Sequence, residues 1–257
     1  MTIATVLRPA AGTGLGRLLA AAGLGLALLA VLVLAAGPIG WRAGWWHYRI
    51  GLLMLMPAAG YLGVAAAVVS AAGLVAGLRR RGRREIALAV LGALIGVGAA
   101  YFPWHWSQVG GDIPRVNDVT TDFADPPSLA FAAAMRAAEH GHPVAYAAAD
   151  AAPVQQRAYP DIVPARLAVP PPAAFAKALA LVKAGGWTIV TADPGTGIID
   201  ACAKSFWFGF TDDIAIRVTP ADGGSRVDMR SGARQGRGDF GVNAKRVRDF
   251  LAALKGP

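Results

Sequence analysis

Three long apolar stretches in the first 102 residues limit most strongly what this chain can fold into. They are Leu18–Ala36, Leu52–Leu78 and Ile86–Phe102, and a helix of roughly 20 apolar residues spans the hydrocarbon core of a bilayer. Because lipid offers no hydrogen-bond partners, the backbone of each stretch must bond within itself as a helix. Small residues after the first stretch resemble a signal-peptide cleavage site. Two further spans follow, so we predict a retained anchor and a three-helix transmembrane region over residues 18–102.

The charged residues divide the chain into two parts. Residues 1–102 contain nine arginines and one acid, Glu85, whereas residues 103–257 are almost neutral. The pI of 10.3 therefore reflects the membrane region, and a near-neutral domain argues against nucleic-acid binding. The spans contain no ionisable side chain, which argues against a transporter or a proton pump. Cys202 is the only cysteine, so the domain has no internal disulfide and depends on its core.

Five arginines between the second and third spans, at Arg79–Arg84, predict the orientation. Loops rich in arginine stay in the cytoplasm, which places residues 1–17 inside and residues 103–257 outside. We therefore predict a multi-pass protein of the plasma (inner) membrane with an extracytoplasmic domain. The pairs Gly73–Gly77 and Gly92–Gly96 have the spacing that lets helices approach closely. Packing among the three spans and dimerisation both fit that spacing, and the oligomeric state stays open.

Residues 103–257 have the mixed pattern of an α+β domain. Strands are predicted at Val116–Asp122, Trp187–Ala192, Ile198–Ser205, Asp213–Thr219 and Arg226–Ser231, and helices at Leu129–His140, from Pro170 to Gly185, and at Ala244–Leu254. We predict an antiparallel sheet of four to five strands with helices on one face. The segment Ala147–Pro172, rich in alanine and proline, is predicted to be an ordered, extended connection.

A two-residue turn at Asp222-Gly223 predicts the register of the last hairpin, because Asp-Gly is a strong signal for such turns. The predicted opposite pairs are Val218 and Val227, Arg217 and Asp228, and Ile216 and Met229. The same register places the apolar residues of both strands on one face. Arg217 and Asp228 then form a cross-strand pair on the other face.

Four segments of the domain carry recognisable motifs. They read NDVTTDFADPP at 117–127, QQRAYPDI at 155–162, GFTDDIAIRV at 209–218 and DMRSGARQGRGDFGVNAKR at 228–246. Together they resemble the domain-of-unknown-function 1499 family of membrane-associated bacterial and chloroplast proteins. The resemblance implies a membrane-tethered domain and supplies no reaction. Serine is usual in the family where Ala233 stands here, which implies that a hydroxyl is not essential there.

The end of the last hairpin holds a dense polar set that is our candidate binding site. Its members are Arg217, Asp228, Arg230, Arg234, Arg237, Asp239 and Asn243. A glycine-rich turn that enters a helix beside several arginines suits an anion, because N–H groups and guanidinium groups converge there. In the structural interpretation, arginine–aspartate pairs hold the turn and Asp239 or Asn243 caps the final helix. Structural ion-pair networks are the commoner case.

The alternative function is a hydrolase or transferase that uses paired aspartates. Its candidates are Asp122, Asp125, Asp161, Asp200, Asp212 and Asp213. Acid–base catalysis needs two carboxylates at a fixed separation, and adjacent Asp212 and Asp213 point to opposite faces of a strand. The chain has no Ser-His-Asp order, HExxH motif or Walker loop. His140 and His142 have no third ligand at a suitable spacing, so we predict no metal and no cofactor.

An aromatic run, Phe206 to Phe210, lies in a connection between two strands. One small core has no room for four aromatic rings, so core-edge packing is one interpretation, and an apolar ligand mouth or a membrane-facing lip is the other. With the bilayer nearby, we predict a domain that binds an anionic lipid or an envelope component and is not an enzyme.

Overall fold

The computed structural model describes residues 14–256. The chain divides into two compact units, residues 1–111 and residues 112–257. Arg8 and most of the predicted cytoplasmic segment 1–17 lie outside the described residues. Each unit has its own packing and is described separately.

The first unit contains the three predicted spans. Its elements are α1 (Gly14–Arg42), α2 (Tyr48–Ile50), a π-helical stretch (Gly51–Leu55), α3 (Met56–Arg80) and α4 (Arg83–Asp112). The segment Tyr48–Arg80 is one continuous helix, so three helices are long and apolar enough to cross a membrane. The π-helical stretch lies just before Pro57, and a π-bulge is a recognised way to interrupt a helix.

Glycines bring the three long helices into close contact. A Cβ at Gly73 would lie 2.7 Å from the Ala20 backbone nitrogen, and one at Gly92 would lie 2.5 Å from Ser70 Oγ. A Cβ at Gly96 would lie 2.8 Å from the Gly63 carbonyl oxygen. Only glycine permits these approaches, so the predicted small-residue motifs serve helix packing within one chain.

The second unit is the α+β domain. Its strands are β1 (Asp118–Thr120), β2 (Ala165–Leu167), β3 (Thr188–Asp193), β4 (Ile198–Lys204), β5 (Thr211–Ala221) and β6 (Gly224–Ala233), and its helices are α5 (Ala133–Ala138), α6 (Ala148–Ala158), α7 (Pro171–Ala184) and α8 (Val242–Lys255). The antiparallel sheet has the order β1-β6-β5-β4-β3, and the short β2 also pairs with β6. The predicted fold class is confirmed, with one short strand more than expected.

The last hairpin has the predicted register. Ala221 pairs with Gly224 across the turn Asp222-Gly223. The three predicted pairs, Val218 and Val227, Arg217 and Asp228, and Ile216 and Met229, lie opposite each other. The turn and the apolar alternation impose the same register, so no competing pairing buries as many apolar side chains.

The two faces of the sheet are stabilised differently. On one face, Ile214, Ile216 and Met229 are fully buried in a core shared with α7 and α8, which contribute Val182 and Val247. The other face carries charged side chains and is partly covered by residues 121–146, here called the cover segment. The cover segment contains a 3₁₀ turn (Ala130–Ala132) followed by α5, so the helix predicted at Leu129–His140 is shorter than expected.

The extended connection predicted at Ala147–Pro172 is wrong. Residues Ala148–Ala158 form α6, and Ala165–Leu167 form β2. Alanine has the highest helix propensity, and that preference outweighs the proline at position 153. Gln155 in α6 is fully buried. Its side chain donates to the Thr120 carbonyl at 2.7 Å and accepts from the Thr120 N–H at 3.0 Å, which ties α6 to β1.

Candidate functional site

Arg230 lies on the polar face of the sheet and is held by several groups. Its guanidinium group donates to both oxygens of Asp118, at 2.9 and 2.7 Å, and to the Val144 carbonyl at 2.9 Å. The guanidinium carbon also lies 5.3 Å from the centre of the Tyr146 ring. Burial, together with the Asp118 carboxylate, raises the pKa of Tyr146 to about 12. Arg230 is only 2% exposed, so this arginine joins β6 to β1 and the cover segment.

Asp213 is the centre of a second buried network. It accepts from Arg136 at 2.7 Å and from Arg234 at 2.7 Å, and its side chain is fully buried. Arg234 is 4% exposed and also pairs with Glu139 at 2.5 Å. The Cys202 thiol donates to Asp213 at 3.3 Å. Burial, together with Asp213, raises the pKa of Cys202 to about 11, so the thiolate is suppressed and this cysteine is a poor nucleophile.

A third network joins the hairpin to the start of the cover segment. Arg217 contacts Asp125 at 2.7 Å, Asp122 at 3.2 Å and Asp228 at 3.5 Å, while Arg226 contacts Asp122 and Asp228 at 2.7 and 2.9 Å. Burial raises the pKa of Asp122, but backbone N–H groups and the two arginines outweigh burial, so its pKa lies below the usual value. The predicted Arg217–Asp228 pair is therefore one contact in a larger group.

The glycine-rich turn after β6 is organised by Asp239 and Asn243. Asp239 accepts from the N–H groups of Gly241 and Asn243, at 2.9 and 2.7 Å, and so caps α8. Asn243 is fully buried and accepts from the Ser231 hydroxyl at 2.5 Å. Arg246 donates to the same Asn243 oxygen and pairs with Asp212 at 2.7 Å. These contacts are those expected of a structural cap.

Arg237 differs from the other members of the predicted set. It is exposed, and no hydrogen bond or ion pair is present for it in the described part of the chain. The arginines at 230, 234 and 237 therefore do not converge on one opening. Two are paired with carboxylates under the surface, and one is open to solvent. Ligand binding by the seven residues stays a prediction, and Arg237 is the member best placed for it.

The six candidate catalytic aspartates are mostly engaged. Asp122 and Asp125 contact Arg217, Asp161 contacts Arg248, Asp212 contacts Arg246, and Asp213 contacts two arginines. Asp212 and Asp213 lie on opposite faces of β5, as predicted. Asp200 is 8% exposed, and no hydrogen bond or ion pair is present for its side chain among residues 14–256. No group of three or more potential metal ligands occurs in that range, and the His142 ring lies 2.7 Å from the Gly236 carbonyl.

Sequence reasoning missed the partners Asp118, Arg136, Glu139 and Arg226. Each belongs to a charged network, but nothing in the local pattern distinguishes these residues from solvated charges. Asp118 and Arg230 are separated by 112 positions and Arg234 and Glu139 by 95. Only the fold shows that they meet.

The chain reaches the domain at one end of the sheet, here called the tethered end. It is formed by residues 113–117, 204–210 and 234–242. Ala233 donates to the Asn117 carbonyl at 2.7 Å, and Arg234 donates to the Thr211 carbonyl at 3.0 Å. These contacts bring the start of the domain, the aromatic connection and the glycine-rich turn together.

Exposed aromatic side chains of the domain gather at the tethered end. Phe206 is 93% exposed, and Trp207 and Phe240 are also exposed, whereas Phe208 is buried and stacks on Phe210 at 5.3 Å. The aromatic run is thus divided, with Phe208 at the edge of the core and Phe206 and Trp207 exposed. Within residues 113–256, every exposed aromatic residue lies at this end.

The tethered end also carries basic side chains that lack carboxylate partners. Arg115, Lys204 and Arg237 are exposed, and no ion pair is present for them in the part of the chain that the structure describes. A Cβ at Gly238 would lie 3.6 Å from the Arg115 backbone, so Arg115 and Arg237 flank the same turn. The carboxylates Glu139 and Asp239 nearby are occupied by Arg234 and by the cap of α8.

Comparison with known families gives one result. Residues 118–254 match the model of a family described as protein of unknown function (DUF1499). No curated protein matches, and no solved structure matches. The match covers almost all of the second unit and more than half of the chain.

Proposed function

We propose that this chain, which belongs to the DUF1499 family, is a membrane-anchored protein whose domain binds anionic lipid at the surface of its own membrane. Three helices suited to cross a bilayer precede the domain. The proposal includes the orientation predicted by Arg79–Arg84, with the domain outside the cytoplasm and the helices in the inner membrane.

The single observation that carries the proposal is the composition of the tethered end. Phe206, Trp207 and Phe240 are exposed there, beside the exposed basic residues Arg115 and Arg237. The third membrane helix, α4, ends at Asp112 and is followed directly by Ile113, so this is the end of the domain that the chain joins to the membrane helices. Among residues 113–256, no other end of the domain combines exposed rings with basic residues free of carboxylates.

The chemistry of these side chains matches the interfacial layer of a bilayer. Tryptophan is enriched at membrane–water interfaces because its ring has an apolar body and a polar N–H group, which fits Trp207. Phenylalanine rings such as Phe206 and Phe240 bury in the apolar boundary beside it. A lysine or arginine near an anionic surface contributes about 1 kcal/mol of binding. The rings would enter the headgroup layer while the guanidinium groups bind lipid phosphates.

Catalysis by the aspartates is less well supported than binding. Five of the six candidates are paired with arginines, and three of them, Asp122, Asp125 and Asp213, form pairs that hold the cover segment on the sheet. Among the six, only Asp200 has no arginine partner in the described residues. A two-carboxylate mechanism requires a second free carboxylate at a fixed distance from it. The alternative of a hydrolase or transferase therefore lacks a pair of free carboxylates in the described residues.

The proposal is tested with the isolated domain, residues 112–257, which has its own sheet and hydrophobic core. Binding to vesicles of phosphatidylglycerol and of phosphatidylcholine is measured by co-sedimentation at low and high salt. We expect binding to the anionic vesicles, weakened by salt because the Debye length shortens. The double variant Arg115→Gln/Arg237→Gln should lose about 2 kcal/mol, or roughly 30-fold in partitioning.

A matched control removes two charges at the other end of the domain. Arg166 and Lys177 are also exposed, and Arg166 pairs in β2 with the hairpin end of β6. Arg166→Gln/Lys177→Gln should leave vesicle binding unchanged. Equal losses in the two double variants would show that net charge alone governs binding, and the tethered end would then have no special role.

A further inference from the structure

A surface groove of about 430 Å³ lies between the end of α7 and the length of α8. Its walls include Leu181 and Ala184 from α7 and Val242, Phe250 and Ala253 from α8, with Trp187 at the base. The rings of Trp187 and Phe250 lie 6.0 Å apart. The volume falls within the range of roughly 300–1,000 Å³ that small-molecule sites have, and the lining is mostly apolar.

The groove begins at the tethered end. Val242 follows Gly241, and a Cβ at Gly241 would lie 3.8 Å from the Ile113 side chain. Val242 is 44% exposed, so the apolar lining reaches the surface where the chain enters the domain. The apolar lining of the groove therefore begins close to Ile113, the residue that follows α4 in the chain.

The rim of the groove carries Lys245 from α8. Its ammonium group pairs with Asp249 at 2.5 Å, but both side chains are largely exposed, and such pairs contribute little. The ammonium group can therefore bind a lipid phosphate instead. Arg246 is already committed to Asp212 at 2.7 Å, so Lys245 is the cation available at the mouth of the groove.

We propose that this groove holds one acyl chain of an anionic phospholipid whose phosphate lies near Lys245. The inference rests on the proposed lipid binding and makes it more specific. The domain then takes a chain partly out of the bilayer, rather than only touching headgroups. Trp187 and Phe250 form the apolar surface against which the chain lies.

The test uses the full chain in nanodiscs that contain a phosphatidylglycerol with a diazirine near the methyl end of one acyl chain. After irradiation, digestion and mass spectrometry locate the lipid adducts. We expect adducts on the peptides that contain Trp187 and Phe250, in addition to those on the membrane helices, which serve as an internal positive control.

Two neighbouring alanines of α8 provide a matched pair of variants. Both are exposed, but Ala253 lines the groove and Ala252 does not. Ala253→Trp places an indole in the space of the chain and should reduce the adducts at Trp187 and Phe250 about tenfold, the effect of losing two buried methylene contacts. Ala252→Trp should leave them unchanged. If Ala253→Trp does not fold, Ala184→Trp fills the groove from α7.

The outcomes separate this inference from the proposed function. Adducts confined to the membrane helices and the aromatic connection at 206–207 would show contact with the bilayer and an empty groove, which overturns the inference only. The complete absence of adducts in residues 113–256, together with no binding of the isolated domain to phosphatidylglycerol vesicles, would overturn both. Equal adducts in the two tryptophan variants would also refute the groove as the site.

Discussion

Asp200 on β4 is a carboxylate that the fold destabilises in its charged form. It is 8% exposed, and no arginine, lysine or N–H group contacts its side chain in the described part of the chain. Burial raises its pKa from 3.8 to about 6. The folded pKa lies above the unfolded one, so the ionised group opposes folding above about pH 6. This cost declines as the pH falls and disappears below 3.8.

The size of the effect follows from the difference between the folded and unfolded pKa values. A tenfold change in a proton-binding constant corresponds to about 1.4 kcal/mol, so the charged Asp200 costs about 3 kcal/mol at pH 8. Asp200→Asn removes the charge and keeps the volume. The amide and the protonated carboxyl are both neutral groups without partners and have similar burial costs, so Asp200→Asn should gain about 3 kcal/mol at pH 8. At pH 4 the gain should vanish, because the native carboxyl is then protonated.

The assay is urea unfolding of the detergent-solubilised chain, read by pulse proteolysis of the domain at pH 8, 6 and 4. Asp222→Asn is the matched control, because Asp222 is exposed in the β5–β6 turn and the turn accepts asparagine. The control should change stability little at any pH. Destabilisation by Asp200→Asn at pH 8, or a gain of equal size at pH 4, would refute the argument.

Three further predictions concern the paired arginines, the membrane helices and the orientation. Arg234→Gln should destabilise the domain by about 3 kcal/mol or more, because a charge buried beside Asp213 and Glu139 is lost. The exposed control, Arg237→Gln, should change the free energy of unfolding by no more than about 0.5 kcal/mol. Equal effects of the two variants in urea unfolding would contradict the pairing. Gly92→Leu should open the helix bundle and increase its protease sensitivity in detergent. Gly98→Leu should not, because a Cβ at Gly98 would have no neighbour within 4 Å. Protease resistance of both variants would show that the helices are not closely packed at Gly92. For the orientation, Gly195→Cys is introduced into a chain in which Cys202 is replaced by alanine. The new cysteine should react with an impermeant maleimide in intact spheroplasts. Labelling only after lysis would show that the domain is in the cytoplasm.

Features set by neighbouring residues can be predicted from the sequence. The β5–β6 hairpin depends on a two-residue turn and on side-chain alternation, and both are visible within about twenty positions. The three membrane helices depend on length and apolarity alone. The final helix is recognisable from Val247, Phe250 and Leu254 at helical spacing.

The charged networks cannot be predicted because their members are far apart in the chain. The sequence shows that arginines are dense around Arg230 and Arg234, and the structural interpretation expects carboxylate partners. It does not show that Asp118 and Glu139 are those partners. The helix α6 escapes prediction for a different reason. Proline at position 153 argues locally against a helix, although the surrounding alanines favour one and tertiary packing through Gln155 stabilises it.

The long sequence separation of the ion pairs has a consequence for how the domain is assembled during synthesis. Within the domain, Asp118 and Asp122 leave the ribosome early, yet their partners Arg230 and Arg226 follow 112 and 104 residues later. Until then, β1 has no strand to pair with, because its only neighbour in the sheet is β6. Strand β1, the first segment of the domain to be synthesised, is therefore among the last to join the sheet. A nascent chain that stops before residue 224 should keep its N-terminal part open to chaperones and proteases, whatever α7 and β3–β4 have already formed.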